Sequence, residues 1–332
     1  MANSGGERGV ALLMAIVAVF LLTVVVMDTR AGVDLYQRIA YSMADELQTQ
    51  YLARSGLSLL QGALKEDDPE VDSFSDDWAA VNRVGPLPLG ELGWVQARVE
   101  DEEGKLDVNG LIDSEGNPDE ENAESQFYRI RTLLDSLGLP PERSDEIVDS
   151  LIDWIDPDGS PRPNGAEDEY YSTLAVPYKC PNEKFKTIGE LALVKGIGSV
   201  LLDRGEGDVP PLRRFLTVHG NSSGLVNVNT APAEVIMSLT PEGTEYGISR
   251  ELAEDIIAVR NEEPFQNKNE LKTRVVDFHE DLFNQVSKMV DVKSSHFSAE
   301  ITGESDRSSS TVYGILSRQG DGTVNLVYFR GF

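Results

Sequence analysis

Val10-Ala-Leu-Leu-Met-Ala-Ile-Val-Ala-Val-Phe-Leu-Leu-Thr-Val-Val-Val-Met27 decides how the rest of the chain is read. These 18 residues carry no charge and one Thr. At 1.5 Å per residue the run is about 27 Å long, close to the roughly 30 Å of bilayer hydrocarbon. It is long for a signal-peptide core, and no small-residue cleavage site follows it. Asp28, Thr29 and Arg30 follow instead, and the helical pattern continues with Val33, Tyr36, Ala40, Met43 and Leu47 at steps of three and four. Leu57, Leu60 and Leu64 carry it past Gly56, and the first Pro is Pro69. The spacing predicts one helix over 10–64, with 10–27 in lipid and the remainder amphipathic. The nine residues before it are too few for a translocated domain, which favours a cytoplasmic N-terminus, although Glu7 offsets Arg8 in the positive-inside sense.

Beyond the helix, 65–109 opens with an acidic connector, Glu66 to Asp77, and the turn-rich Gly85-Pro-Leu-Pro-Leu-Gly90. Trp94-Val-Gln-Ala-Arg-Val99 alternates with period two and predicts a half-buried strand. From 110 to 290 the character is helical. Phe127, Ile130, Leu133, Leu134 and Leu137 form one stripe, and Ile147, Val148, Leu151 and Ile152 another. Period two returns over 291–332, in Phe297–Ile301, Thr311–Leu316 and Thr323–Phe329, with Gln319-Gly-Asp-Gly322 as a hairpin turn. The strands on either side of the helical block read most economically as one sheet. The fold class is therefore α+β: a long N-terminal transmembrane and amphipathic helix on a small antiparallel sheet, with a large all-α insertion.

Charge narrows the function. Against 29 Lys and Arg stand 57 Asp and Glu, a net charge of -28. This argues against a nucleic-acid partner, which needs a basic footprint. One Cys excludes a disulfide framework within the chain and a Cys-rich zinc site. No Walker A loop, Gly-x-Ser-x-Gly, His-Glu-x-x-His or Rossmann glycine fingerprint is present, so the chain does not read as an enzyme.

The densest chemical constellation is Asp153-Trp-Ile-Asp-Pro-Asp-Gly159, followed by Asn164-Gly-Ala-Glu-Asp-Glu-Tyr-Tyr171. Six carboxylates fall within 17 residues, and Asp-Pro-Asp-Gly puts two of them on one tight turn. Hard oxygens crowded on an irregular loop suit Ca2+, although the EF-hand spacing is missing. The bland alternative is a helix end with a solvated acidic loop; a catalytic carboxylate pair lacks an accompanying nucleophile. A second constellation is Gly224-Leu-Val-Asn-Val-Asn-Thr-Ala-Pro-Ala-Glu-Val-Ile236 with Ile248–Ile257, Arg260 and Phe265. Asn229-Thr230 suits a cap for the helix that Pro232 starts. Together with Lys195-Gly-Ile-Gly198 this block resembles helix-hairpin-helix modules, some of which hold a DNA phosphate. Pro241–Gly247 stands where a second Gly hairpin would be, and acidic flanks favour a packing unit over a DNA site. A membrane-anchored DNA-uptake receptor is the alternative reading; an anchored calcium-dependent hydrolase is a third.

The short leader ending in Gly9 before an apolar helix resembles a type IV pilin or pseudopilin. That family implies cleavage after Gly9 by prepilin peptidase and methylation of Val10. Met14 stands where pilins usually carry Glu, a departure that suits a subunit with no earlier neighbour to serve. The motifs DWIDPDG, GAEDEYY and LVKGIG, with Val-Asn-Val-Asn-Thr-Ala-Pro, resemble the protein K family of minor pseudopilins of type II secretion. The resemblance implies a structural Ca2+ held by Asp156, Asp158, Glu167 and Asp168, with Asp153 as a further ligand. It also implies partners: the I-type and J-type minor pseudopilins in a tip complex, the major pseudopilin, prepilin peptidase and the inner membrane, with the head in the periplasm.

Overall fold

The structure, a computed structural model, describes residues 4–113, 115–118, 126–221, 223–240 and 247–331. In chain order the elements are α1 (Ser4–Glu66), α2 (Asp77–Ala80), β1 (Leu87–Pro88), β2 (Trp94–Asp101), β3 (Leu106–Asp107), α3 (Gln126–Ser136), α4 (Pro141–Ile155) and α5 (Asp168–Tyr171). There follow α6 (Gly198–Asp203), β4 (Leu216–Thr217), β5 (Val226–Asn227), α7 (Ala233–Met237), α8 (Arg250–Glu262), α9 (Leu271–Arg274) and α10 (Glu280–Val286). The chain closes with β6 (Val290–Asp291), β7 (His296–Glu304), β8 (Ser309–Arg318) and β9 (Val324–Gly331).

Helix α1 has two halves with different surroundings. Its apolar run has a mean hydropathy of 3.1 and buries nothing. Thr23 satisfies its hydroxyl on the Val19 carbonyl at 2.8 Å, as a polar group in lipid must, and Thr29 just beyond the apolar run does the same on Val25 at 2.8 Å. The predicted amphipathic stretch is also uncovered: Tyr36 is 74% and Met43 60% exposed. The face that packs begins only at Thr49 and runs through Leu52, Ala53, Leu57, Leu60 and Leu64. It lies on the sheet, against Val95, Val99, Phe297, Ile301 and Leu316, with Trp78 of α2 sealing the end. Each large apolar side chain so buried stabilises by about 1.5–3 kcal/mol. Gly303 sets how close helix and sheet come. A Cβ there would collide with the Thr49 carbonyl and the Ala53 amide, which are backbone and unable to yield.

The sheet order is β1-β2-β7-β8-β9, antiparallel throughout. Strands before and after the helical block are direct neighbours, with Val95 opposite Gly303 and Val99 opposite Ala299. The hairpin between β8 and β9 turns at Gly322, whose φ of 81° is the left-handed region glycine favours.

Between β2 and β7 the chain builds a second core. It is fastened by two short parallel pairings, Leu106 with Leu216 and Val226 with Val290. The predicted stripes of α3 and α4 face each other in this core, from Ile130 and Leu133 to Ile147 and Leu151. Asn229 and Thr230 do not cap α7, whose N-cap is Pro232 with no side-chain cap bond. They are used at longer range instead. Asn229 exchanges two bonds with the Phe265 backbone, at 3.0 and 2.9 Å, and Thr230 donates to Asp101 at 2.5 Å.

Candidate metal centre

Helix α4 is amphipathic, and its C-terminal turn carries Asp153 and Asp156. The chain then turns through Pro157-Asp-Gly159 and returns at Glu167, the N-cap of α5. This path brings one oxygen each of Asp156, Asp158 and Glu167 within 4.8 Å of one another. Asp156 and Glu167 are buried, at 7% and 4% exposure, and Asp158 is exposed. Among the described residues, Asp156 Oδ1 and Glu167 Oε1 are buried with no hydrogen-bond partner. Burial, and then the charges of Asp153 and Asp156, push the Glu167 carboxyl up to about 7. Burial, and then Asp158, raise Asp156. Two buried carboxylates, each with an unpartnered oxygen, beside an exposed third make a hard-oxygen set whose repulsion a divalent cation would offset.

The other two predicted ligands lie beside this set with oxygens engaged elsewhere. Asp153 is fully buried, and both its oxygens lie 3.2 Å from the Arg162 amide. Burial pushes its carboxyl up to about 6. Asp168 accepts from the Cys180 amide at 2.8 Å. Cys180 donates its thiol to the Asp153 carbonyl at 3.4 Å, and burial pushes that thiol up to about 12, so it is no ready nucleophile.

Beneath the loop lies an aromatic floor. Trp154 meets Tyr171 edge-on at 5.4 Å and stacks on Phe185 at 5.9 Å. The loop backbone is braced from the side. Asp149 accepts from the Asn164 amide at 3.1 Å and pairs with Arg162 at 2.9 Å. Lys195 donates to the Asn164 and Gly165 carbonyls at 2.9 and 3.2 Å and pairs with Glu146 at 3.2 Å.

The same contacts bear on the nucleic-acid alternative. Lys195 of the Lys195-Gly-Ile-Gly198 hairpin is committed to the acidic loop, and Arg250 pairs with Glu234 at 3.3 Å. Most of Pro241–Gly247, where a second hairpin was sought, lies outside the described residues.

A second carboxylate convergence, Asp67, Asp72 and Asp76, went unseen in the sequence. Here the cation is internal. Arg318 bonds both Asp72 oxygens at 2.6 and 2.5 Å and reaches Asp67 at 3.2 Å. Asp72 and Arg318 are 246 positions apart, so no local pattern could have announced the pair.

The predicted processing pair, Gly9 and Val10, lies inside α1. Val10 is 56% exposed, and among the described residues nothing lies within 4 Å of where a Gly9 Cβ would stand.

Known proteins place this architecture. Two family models described as type II secretion system (T2SS), protein K match residues 104–206 and 226–287, which is most of the inserted block. A type II secretion system protein K of Pseudomonas aeruginosa is 30% identical over 280 residues, covering 80% of this chain and 76% of that one. That of Aeromonas hydrophila is 24% identical over 307 residues, covering 90% and 89%. The crystal structure of the GspK-GspI-GspJ complex from the enterotoxigenic Escherichia coli type 2 secretion system superposes with a TM-score of 0.63. It shares 20% sequence identity, covers 92% of this chain and 99% of that one, and shows the same fold. With an apolar membrane-length helix leading into this fold and with these relatives, the chain belongs to the type II secretion system protein K family.

Proposed function

We propose that this chain is a minor pseudopilin that sits at the tip of a pseudopilus and starts its assembly for protein export. The observation that carries the reading is the bare lower half of α1. A helix that exposes Leu13, Phe20, Val33, Tyr36 and Met43 together needs lipid first and other helices afterwards. The I-type and J-type minor pseudopilins are the partners for that face, in keeping with the complex in which the E. coli relative was crystallised. The major pseudopilin packs below them. The large inserted block, standing on the head away from the membrane helix, would obstruct any subunit stacked above it. The chain acts by assembly and performs no catalysis. It is anchored in the inner membrane with its head in the periplasm.

Prepilin peptidase cuts after Gly9 in this reading, and Val10 becomes the methylated N-terminus. Mass spectrometry of the chain recovered from membranes should give a mature form beginning at methylated Val10, and Gly9→Ala should block that cleavage. An intact N-terminus in a secreting cell would sink the proposal.

The acidic loop is read as a structural Ca2+ site. Asp156, Asp158 and Glu167 would hold the ion, and its charge would offset the cost of burying the Asp156 and Glu167 carboxylates, each with one oxygen left without a hydrogen bond. The unpartnered Asp156 and Glu167 oxygens support this reading over a merely solvated acidic loop.

A further inference from the structure

The cation loop has a frame that is separate from its ligands. Between Asp158 and Glu167 the backbone is held largely by side chains outside the set of three; within the set, Asp158 Oδ1 accepts the Ser160 amide at 2.7 Å. Asp153 receives the Arg162 amide. Asp149 receives the Asn164 amide and side chain at 3.1 and 2.9 Å. Lys195 donates to two successive carbonyls, Asn164 and Gly165, and its ammonium lies 5.3 Å from the centre of the Tyr170 ring. Gly165 is part of the frame, because a Cβ there would collide with Asp153 Oδ2.

We infer that Asp153 and Lys195 are positioning residues, which shape the loop so that Glu167 meets Asp156 and Asp158, and that the Asp153 carboxylate does not itself ligate the cation. The inference rests on the Ca2+ reading above. Both Asp153 oxygens share the Arg162 amide, whereas Asp156 Oδ1 and Glu167 Oε1 are buried and without a hydrogen bond among the described residues. Lys195 belongs to the Lys195-Gly-Ile-Gly198 hairpin, so it also ties the loop to the second half of the inserted block. The hairpin backbone is joined to the aromatic floor too, through the Lys195 amide on the Tyr171 hydroxyl at 3.3 Å. Cation binding should therefore stiffen the hairpin as well as the loop.

The test uses the full-length chain in detergent, titrated with Tb3+ as a luminescent hard cation excited through tryptophan, with Ca2+ as competitor. Decay rates in H2O and D2O count the waters left on the ion. Glu167→Ala, which removes a ligand, should raise that count by one. Asp153→Asn should weaken binding by about tenfold or more with the count unchanged, as outer-shell groups do. Lys195→Met should weaken binding about as much, and Lys195→Arg should restore most of it. A role confined to fold stability would instead lower the melting temperature without ion and leave affinity alone, which overturns the inference. An added water in Asp153→Asn makes Asp153 a ligand and also overturns it. A wild-type chain that takes up no Tb3+ ends the Ca2+ reading itself and this inference with it. Uptake by wild type with Lys195→Met unaffected ends only the inference.

Discussion

The Asp101 carboxylate accepts a hydrogen bond from the Asn227 side chain at 3.1 Å, joining the last residue of β2 to the last residue of β5 across 126 positions. The same oxygen accepts from Thr230 at 2.5 Å and from Ser294 at 2.7 Å, and Asp101 Oδ1 takes the Glu103 amide at 2.8 Å. Asn227 also donates to the Asp72 carbonyl at 3.1 Å, and Ser294 donates its amide to the Asp72 carboxylate at 2.8 Å. The chain leaves the sheet at Asp101 and re-enters it just after Ser294. One buried network therefore clamps both crossings and the Val-Asn-Val-Asn-Thr segment together, and Arg318 fixes it to β8.

Asn227→Ala removes the donor that reaches three of these groups and leaves Asp101, the Asp72 carbonyl and Ser294 short of a partner. A hydrogen bond to a charged group is worth about 1.5–3 kcal/mol, and the stranded acceptors add to the loss. The head should lose about 3 kcal/mol, read as a lowered thermal midpoint and faster amide exchange at both crossings. A change below about 0.5 kcal/mol would show that the two cores hold together without the clamp.

Acid should stabilise the ion-free head down to about pH 5. Burial, and then Glu103, push Asp101 up to about 6, and burial pushes Asp107 to about 6 as well. Such groups bind more protons folded than unfolded between about pH 4 and 6, so stability falls as pH rises through that window. Each contributes at most roughly 3 kcal/mol. Glu102 sets the lower limit. Burial raises its carboxyl, but Lys105 and the hydroxyls of Ser298 and Thr217 outweigh this and hold it below its ordinary value. Its contribution is lost only in stronger acid. Melting temperatures in chelator should climb from about pH 7 to pH 5, and Asp107→Asn should flatten the slope. A midpoint that instead falls steadily over that range would contradict the burial of these carboxyls.

Glu167→Gln separates a repulsive acidic loop from a cation site. Without ion it removes a buried charge that faces Asp153 and Asp156, so the melting temperature should match or exceed wild type. With Ca2+ at a hundredfold excess over its dissociation constant, wild type should gain about 2.7 kcal/mol and the variant little. Equal responses of the two chains, or none in wild type, would leave the carboxylates as a solvated acidic turn.

What the sequence disclosed follows from the range of the interactions. The long helix, the helical stripes and the alternating strands are local periodicities, and each appears close to its expected residues. The carboxylate cluster was legible because its members lie in one short stretch. Which oxygens stay free was not, since Asp153 and Asp168 are engaged by amides of a loop that curls back over them. Asn229 and Thr230 read as a cap because their local chemistry suits one. Their actual partners, Phe265 and Asp101, lie 36 and 129 positions away. The parallel pairings of β3 with β4 and of β5 with β6 are two residues long, too short to leave a periodic trace.

Ile39→Asp tests assembly without disturbing the head. Ile39 is 47% exposed and lies ten residues before Thr49, where packing of α1 on the sheet begins. A charge there costs the isolated chain little, as exposed substitutions usually change stability by no more than about 0.5 kcal/mol. In a helical bundle the same carboxylate would be desolvated with no partner, a loss of several kcal/mol. Co-purification with I-type and J-type minor pseudopilins from membranes should therefore drop at least tenfold while the melting temperature of the chain stays unchanged. Undiminished co-purification would move the interface off the bare face of α1 and onto the head, and the tip assignment would then have to rest on the inserted block alone.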